Sequence, residues 1–161
     1  MTSDELKPSL LFLWANYEHQ NDGIIKDRYF LFLGGTNDMI STNSHYYLVT
    51  GTSLCGYYNR GGDREKSCHM RFKVLTHDLP AETVFDFDLH FCLHYKNTIK
   101  ESLSSMTKIA QFTHEELATI YNKLILSDKI THDAKCNIQS GLSQLGIPNL
   151  NSVAKKRKKK Y

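Results

Sequence analysis

The sequence predicts a mainly β protein of the α+β class, with an antiparallel sheet or small barrel and helices appended at its C-terminal side. Five segments with strand character precede the first strongly helical segment, and polar loops join most of them. Blocks of this kind argue against a βαβ nucleotide-binding fold, where strands and helices alternate. The length of 161 residues suits one domain with a substantial core. We place that domain at residues 1–150 and expect residues 151–161 to form a disordered basic tail.

The first three predicted strands are apolar or β-branched runs bounded by turn residues, namely residues 9–15, 28–33 and 45–53. The fourth, residues 67–75, alternates with period two and should place Met70, Phe72 and Val74 on one face. The fifth, residues 84–95, is the longest alternating run. Its predicted buried face is Phe85, Phe87, Leu89, Phe91 and Leu93. One packed face and one wetter face are typical of antiparallel sheets.

Two helices are predicted after a polar linker. Thr113 and Glu116 form a capping box, and apolar residues then recur at helical spacing. These are Leu117, Ile120, Tyr121, Leu124 and Ile125. Residues 131–145 predict a second helix with Cys136, Ile138 and Leu142 inward, ended by Gly146.

The formal charge of +3 comes from the end of the chain, where residues 155–160 read KKRKKK. Without those six, 14 basic residues stand against 17 acidic ones, so the rest carries about −3. Such a run indicates either a solvated tail or an arm that attracts nucleic acid. The four cysteines form no CxxC pair, and the sequence shows neither a signal peptide nor a membrane-spanning run. We therefore expect reduced thiols, a cytoplasmic protein and no membrane partner.

Arg28 stands at the predicted start of an apolar strand, where the core could fix a guanidinium that still reaches the surface. Its planar fork of donors suits phosphate oxygens. An edge arginine that pairs with Asp27 or Asp22 is the structural alternative. Thr52 and Ser53 end a neighbouring strand, and their hydroxyls could join Arg28 in one pocket beside a glycine-rich loop. That loop carries the candidate RNA-binding residues Arg60, Arg64 and Lys66, to which the tail adds Lys156 and Arg157.

Other chemistries have weaker signals. Asp86, Asp88, His90 and His94 share a predicted strand face and suit a divalent ion, but ligands from one straight strand cannot converge on it. No Walker A, GxGxxG or GxSxG motif is present. We therefore expect no metal and no cofactor. His45, His69 or His77 could supply a group that titrates near neutral pH, but the sequence places none of them in the site.

The order of these pieces resembles the MazF/PemK (Kid-like) toxin family of small endoribonucleases. RYFLFL (residues 28–33) stands where the family has R-P-x-L-V-I, and VTGTS (residues 49–53) matches the following strand that ends in Thr or Thr-Ser. KIAQFTHEELATI (residues 108–120) is similar to the family's K-I-x-x-L-x-x-E-x-L-x-x-I. The similarity covers roughly residues 9–127. The chain departs in lacking the early Gly-Asp, in Tyr29 replacing the proline, and in adding a second helix and the basic tail.

This resemblance implies an SH3-like barrel of the CcdB/MazF type with Arg28 as the catalytic arginine and Thr52, with Ser53 adjacent, as its hydroxyl partner. It also implies metal-independent cleavage of single-stranded RNA by 2′-OH attack. The implied partners are RNA, a second copy in a homodimer, a cognate antitoxin, and DNA bound together with that antitoxin. Two other functions fit the residues: a non-catalytic binding module on the same barrel with the tail as a basic arm, and a metal nuclease that uses Asp86, Asp88 and His90.

Overall fold

The computed structural model describes residues 1–18, 23–36 and 44–154. Within these residues, seven strands and three α-helices follow one another. They are β1 (Leu10–Glu18), β2 (Ile25–Gly35), β3 (His45–Thr52), β4 (His69–Phe72), β5 (Thr83–Asp86), β6 (Phe91–Tyr95), α1 (Lys96–Glu101), β7 (Met106–Gln111), α2 (His114–Leu124) and α3 (His132–Gln144). The predicted class, antiparallel β with C-terminal helices, is confirmed.

The strands form one curled, half-barrel sheet in the order β4-β5-β3-β2-β1-β7. Every pair in it is antiparallel. Strand β3 is central: β2 lies along one edge, and β5 and β6 share the other edge one after the other. The end of β3 therefore lies between β2 and β5.

The sheet has a separate apolar core on each face, because successive side chains in β2 point in opposite directions. Leu31 and Leu33 pack with the buried residues of α2 and α3 in the larger core. Phe30 and Phe32 join the smaller core with Phe12 and Trp14. A strand buried on both faces explains why the apolar run in β2 is continuous and does not alternate.

Two predicted strands are shorter than expected. Residues 84–95 divide into β5 and β6, since the Asp86 carboxylate accepts the N–H groups of Asp88 and Leu89 and so turns the chain. Leu89 and Leu93 are consequently 53% and 46% exposed, and the prediction that they join the buried face is wrong. Val74 lies beyond β4 and is 53% exposed, so its predicted inward position is also wrong.

The helix predictions agree closely with the structure. Thr113 caps α2, with its hydroxyl accepting from the Glu116 N–H while the Glu116 carboxylate accepts from the Thr113 N–H. Helix α3 has Ile138 and Leu142 fully buried, and Gly146 adopts a positive φ of 72° just after it. The segment predicted to be a polar linker contains helix α1 and strand β7, neither of which the sequence predicted.

The four cysteines, all within the described ranges, are free thiols. Burial raises the pKa of the Cys92 thiol to about 12, which keeps that thiol protonated at neutral pH. None of the helices built from the described residues combines the length and apolarity that a bilayer crossing requires.

Candidate functional site

Arg28 is the fourth residue of β2, because the strand begins at Ile25 and not at Arg28 as predicted. It pairs with Trp14 of β1 and is half-buried. Its Nε atom is buried and has no hydrogen-bond partner among the described residues. An unpaired buried donor is costly, so this side of the guanidinium is desolvated without compensation from the described residues.

The structural alternative for Arg28 was an ion pair with a neighbouring aspartate. Asp27 instead accepts a hydrogen bond of 2.9 Å from the Asn16 N–H, and none of the ion pairs of the described residues joins it to Arg28. Asp22 lies outside the described residues. The pairing with Asp27 is therefore absent.

Thr52 lies across the sheet from Arg28. Strand β2 pairs with β3 through Phe30 opposite Thr50, and the same register continued by two residues brings Arg28 opposite Thr52. Directly opposed side chains of an antiparallel pair share one face and lie within contact distance. The ladder itself ends at Phe30 and Thr50, so the register places Arg28 and Thr52 on the same face without showing a contact between them.

Arg28, Thr52 and Ser53 line one cavity of about 370 Å³, called the Arg28 cavity below. The other lining residues are Lys26, Asp27, Tyr29, Gly51, Leu54, Pro80, Ala81 and Thr83. The cavity lies where β2 begins, β3 ends and the segment before β5 passes by. Its volume falls in the range of small-ligand sites and can admit a phosphate with its ribose.

The two hydroxyls at the end of β3 differ in their bonding. Thr52 Oγ1 accepts from the Leu54 N–H at 3.2 Å, which fixes the turn and leaves the hydroxyl proton available to donate. The Ser53 hydroxyl makes no hydrogen bond with the described residues, and Ser53 is exposed. Two O–H donors thus accompany the guanidinium.

Gly51 allows β3 and β5 to approach closely beside the cavity. A Cβ at this position would lie 2.7 Å from the Thr83 methyl carbon and 3.2 Å from the Phe85 ring. Only a residue without a side chain fits there. The glycine therefore holds Thr52 against β5 at the cavity wall.

Three of the predicted RNA-binding residues, Arg60, Arg64 and Lys66, lie in the loop between β3 and β4. None of the three lines the Arg28 cavity. Arg64 is half-buried: it donates to the Tyr58 hydroxyl at 3.2 Å, and its guanidinium lies over the Tyr57 ring, 5.6 Å from the centroid. Arg60 and Lys66 are exposed. Lys156 and Arg157 lie outside the described residues.

The Asp86 and Asp88 carboxylates, candidate metal ligands by sequence, are engaged in hydrogen bonds. Fully buried Asp86 accepts from the Tyr58 hydroxyl at 2.9 Å and from the Ser67 hydroxyl at 2.6 Å. Asp88 accepts from the Cys68 N–H at 2.8 Å and from the Ser127 hydroxyl. Across residues 1–18, 23–36 and 44–154, no group of three His, Cys, Asp or Glu side chains is arranged to hold a metal ion. The network is structural.

Histidines lie elsewhere in the fold. His77 Nε2 is 3.0 Å from the Glu116 carboxylate, His45 packs on Tyr95, and His69 packs on Tyr58. Buried His94 contacts the Tyr17 hydroxyl at 3.3 Å, and burial lowers its pKa to about 4. The described lining of the Arg28 cavity contains no histidine.

Several lining residues carry no sequence signal of a site. Pro80, Ala81 and Thr83 come from the segment before β5, and only the β3–β5 pairing brings them to Thr52. Tyr29 also lines the cavity, but the sequence alone does not show which face of β2 its side chain occupies. Gly51 could have been noticed, because glycine inside a strand indicates a close backbone approach.

Chemically, the arrangement offers a half-buried guanidinium, two hydroxyl donors and one exposed carboxylate, Asp27, around a space that can hold an oxyanion. Such donors stabilise negative charge on phosphate oxygens.

Comparison with protein-family models, with curated proteins and with solved structures finds no match to this chain.

Proposed function

We propose that this protein is a metal-independent endoribonuclease that binds a phosphodiester of single-stranded RNA in the Arg28 cavity. One observation carries the proposal: Arg28, whose buried Nε has no hydrogen-bond partner among the described residues, lines one cavity of about 370 Å³ together with Thr52 and Ser53. A phosphate oxygen would accept hydrogen bonds from the Arg28 guanidinium, and the hydroxyls would bind a second nonbridging oxygen.

The reaction needs no protein nucleophile, because RNA carries its own 2′-OH. The 2′-oxygen loses its proton and bonds to phosphorus while the bond from phosphorus to the 5′-oxygen breaks. The leaving 5′-oxygen takes a proton from water, which leaves a 2′,3′-cyclic phosphate and a 5′-OH. Arg28 and Thr52 stabilise the charge that builds up on the nonbridging oxygens. Asp27 is the carboxylate of the lining, and one of its oxygens accepts from Asn16. It is the candidate base for the 2′-OH proton.

The resemblance to the MazF/PemK toxins supports the same roles for Arg28, Thr52 and Ser53. It further suggests an SH3-like identity for the half-barrel, a homodimer in the cytoplasm, and neutralisation by an antitoxin that also binds DNA. These are proposals, as is a contribution of Arg60, Lys66, Lys156 and Arg157 to RNA binding. Arg64 is the weaker candidate, since its guanidinium is already engaged with Tyr58.

The test is cleavage of single-stranded RNA in EDTA, with analysis of the product ends. Wild-type protein should release cyclic phosphate and 5′-OH ends, and Arg28→Ala should lower the rate by about a hundredfold or more. Lys100→Ala, an exposed position on α1, is the matched control and should cleave normally. Absence of cleavage by the wild type, or equal cleavage by Arg28→Ala, would overturn the proposal.

A non-catalytic nucleic-acid or protein binding module is the second candidate. The observation in its favour is that no histidine lies in the described lining of the Arg28 cavity, so its proton-transfer groups are few. This function predicts RNA binding without cleavage. It also predicts that deleting residues 155–160 flattens the salt dependence of binding, because fewer counterions are released.

A further inference from the structure

A second cavity of about 530 Å³ adjoins the Arg28 cavity and shares two of its residues, Ser53 and Leu54. It is called the Tyr57 cavity. Its remaining lining residues are Cys55, Gly56, Tyr57, Gly62 and Asp63. The two cavities are therefore neighbours that meet at Ser53 and Leu54.

The walls of the Tyr57 cavity suit a flat, partly apolar group. Leu54 is 60% exposed and Tyr57 is 48% exposed, so both offer apolar surface to a ligand. The Arg64 guanidinium packs over the Tyr57 ring. The backbone N–H of Arg64 donates to the Tyr57 backbone carbonyl at 2.9 Å. Aromatic side chains held in this way are the usual stacking partners of unpaired bases.

The loop that carries Tyr57 is held close to Gly62. A Cβ at Gly62 would lie 2.4 Å from the Tyr57 carbonyl oxygen, so the two backbone segments touch. The Gly61 N–H donates to the Glu65 carboxylate at 2.9 Å within the same loop. These contacts fix the position of Asp63 relative to Tyr57.

Asp63 supplies an unengaged carboxylate at this cavity. It makes no hydrogen bond or ion pair with any residue that the structure describes, although it lines the wall and is exposed. Two carboxylate oxygens match two adjacent N–H donors. Guanine is the RNA base that presents such a pair, N1–H and the N2 amino group, on its Watson–Crick edge. The other bases place an acceptor beside their donor, which the carboxylate would repel.

We propose that the Tyr57 cavity is a nucleobase subsite for the nucleotide next to the phosphate bound by Arg28, with Tyr57 as the stacking platform and Asp63 as the group that selects guanine. This inference rests on the proposed function, because it requires RNA at Arg28. It adds a substrate preference that the Arg28 cavity alone does not define.

The test measures binding of short, fluorescent 2′-O-methyl RNA oligonucleotides, in which the attacking hydroxyl is blocked. The probes carry a single guanine, adenine, cytosine or uracil in an otherwise constant sequence. Wild-type protein should bind the guanine probe about tenfold tighter than the others. Asp63→Asn should remove that preference, and Tyr57→Leu should weaken binding of every probe about tenfold.

Two control variants separate stacking from general disturbance of the fold. Tyr57→Phe retains the ring and should bind every probe more tightly than Tyr57→Leu does. Tyr95→Leu removes another exposed tyrosine, on β6, and should also leave binding unchanged. Equal binding by Tyr57→Leu and wild type, or an unchanged base preference in Asp63→Asn, would overturn the subsite.

The outcome for Arg28→Ala distinguishes this inference from the proposed function. If Arg28→Ala weakens binding and the variants of Tyr57 and Asp63 do not, the subsite is wrong and the phosphate site stands. If none of the probes binds wild-type protein, the proposed function fails and the subsite fails with it.

Discussion

At the scale of single residues, the candidate site depends on two donor residues, Arg28 of β2 and Thr52 of β3, that line the same cavity. Arg28 brings a desolvated N–H, and Thr52 brings a hydroxyl whose oxygen is already fixed by the Leu54 N–H. A donor that is positioned before the ligand arrives costs little reorganisation when charge develops. This preorganisation separates Thr52 from the many exposed threonines at strand ends.

Replacing Thr52 tests whether its hydroxyl takes part. Thr52→Val keeps the shape and removes the donor, so the cleavage rate should fall by about a hundredfold, the typical effect of losing one such donor. Thr52→Ser keeps the hydroxyl and should retain most of the rate. Rates of RNA cleavage under single-turnover conditions measure both. A Thr52→Val enzyme as fast as the wild type would remove Thr52 from the mechanism.

Asp86 illustrates a residue whose function is structural. Its carboxylate is fully buried and accepts hydrogen bonds from two hydroxyls and two backbone N–H groups. In Asp86→Asn an amide N–H₂ would face one of these donors, so the free energy of unfolding should fall by about 2 to 3 kcal/mol. Urea denaturation measures this loss. Asp128→Asn, an exposed control, should change stability by less than about 0.5 kcal/mol.

At the scale of elements, β3 positions the site because three strands meet along it. Its residues up to Val49 pair with β6, and Gly51 and Thr52 pair with β5. The switch from one partner to the other occurs where the Asp86 turn separates β5 from β6. The end of β3 is thus held by β5, and β2 pairs with it as far as Thr50, while Thr52 lines the cavity.

Two glycine substitutions should have opposite effects on stability. Gly51→Ala would place a methyl group 2.7 Å from the Thr83 methyl carbon between β3 and β5, which should lower the free energy of unfolding by about 1 to 3 kcal/mol. Gly141→Ala on α3 meets no atom within 4 Å and should raise it by about 0.5 to 1 kcal/mol. Thermal denaturation compares the pair. A neutral Gly51→Ala would contradict the close approach of the two strands.

The sequence predicted best the elements whose signals are local. The capping box at Thr113 and the continuous apolar run of β2 required no knowledge of neighbours. The break between β5 and β6 could not be predicted, because apolar and polar residues keep alternating through residues 87–90. The chain nevertheless turns there, where the Asp86 carboxylate accepts the N–H groups of Asp88 and Leu89. Strand β7 was missed since it lies at a sheet edge, and its exposed residues give it a polar sequence.

The residues of the candidate site also differ in how far the sequence predicts them. Arg28, Thr52 and Ser53 were predicted from expected positions at strand ends, and all three line one cavity although Arg28 is the fourth residue of β2. The wall formed by Pro80, Ala81 and Thr83 depends on long-range pairing of β3 with β5, for which the sequence carries no local mark. Tyr57 and Asp63 belong to a loop whose geometry could not be predicted from the sequence.

At the scale of the whole molecule, the sheet separates two cores, and the smaller one contains a titratable group. His94 is 3% exposed and packs against Trp14 and Tyr17. Burial lowers its pKa from 6.5 to about 4 in the folded state. The folded protein therefore holds this imidazole neutral over a pH range in which the unfolded chain protonates it.

This difference predicts a specific loss of stability in acid. Above pH 6.5 neither state binds the proton, and between pH 6.5 and about 4 only the unfolded state does, so stability should decrease as the pH falls through this window. The full loss is on the order of 3 kcal/mol. Urea midpoints across the window should fall more steeply for wild-type protein than for His94→Gln. His114→Gln, an exposed control, should follow the wild type, and parallel curves for His94→Gln and wild type would contradict the prediction.

The most direct measurement of the central claim is the ¹H–¹⁵N resonance of Arg28 Nε–H during titration with a short 2′-O-methyl RNA, assigned by its loss in Arg28→Lys. If the Arg28 guanidinium binds a phosphate oxygen, its Nε–H proton signal should move downfield and its exchange with water should slow as the RNA saturates the protein. An Arg28 signal that stays unchanged while RNA binding is evident from other resonances would show that the phosphate is bound elsewhere.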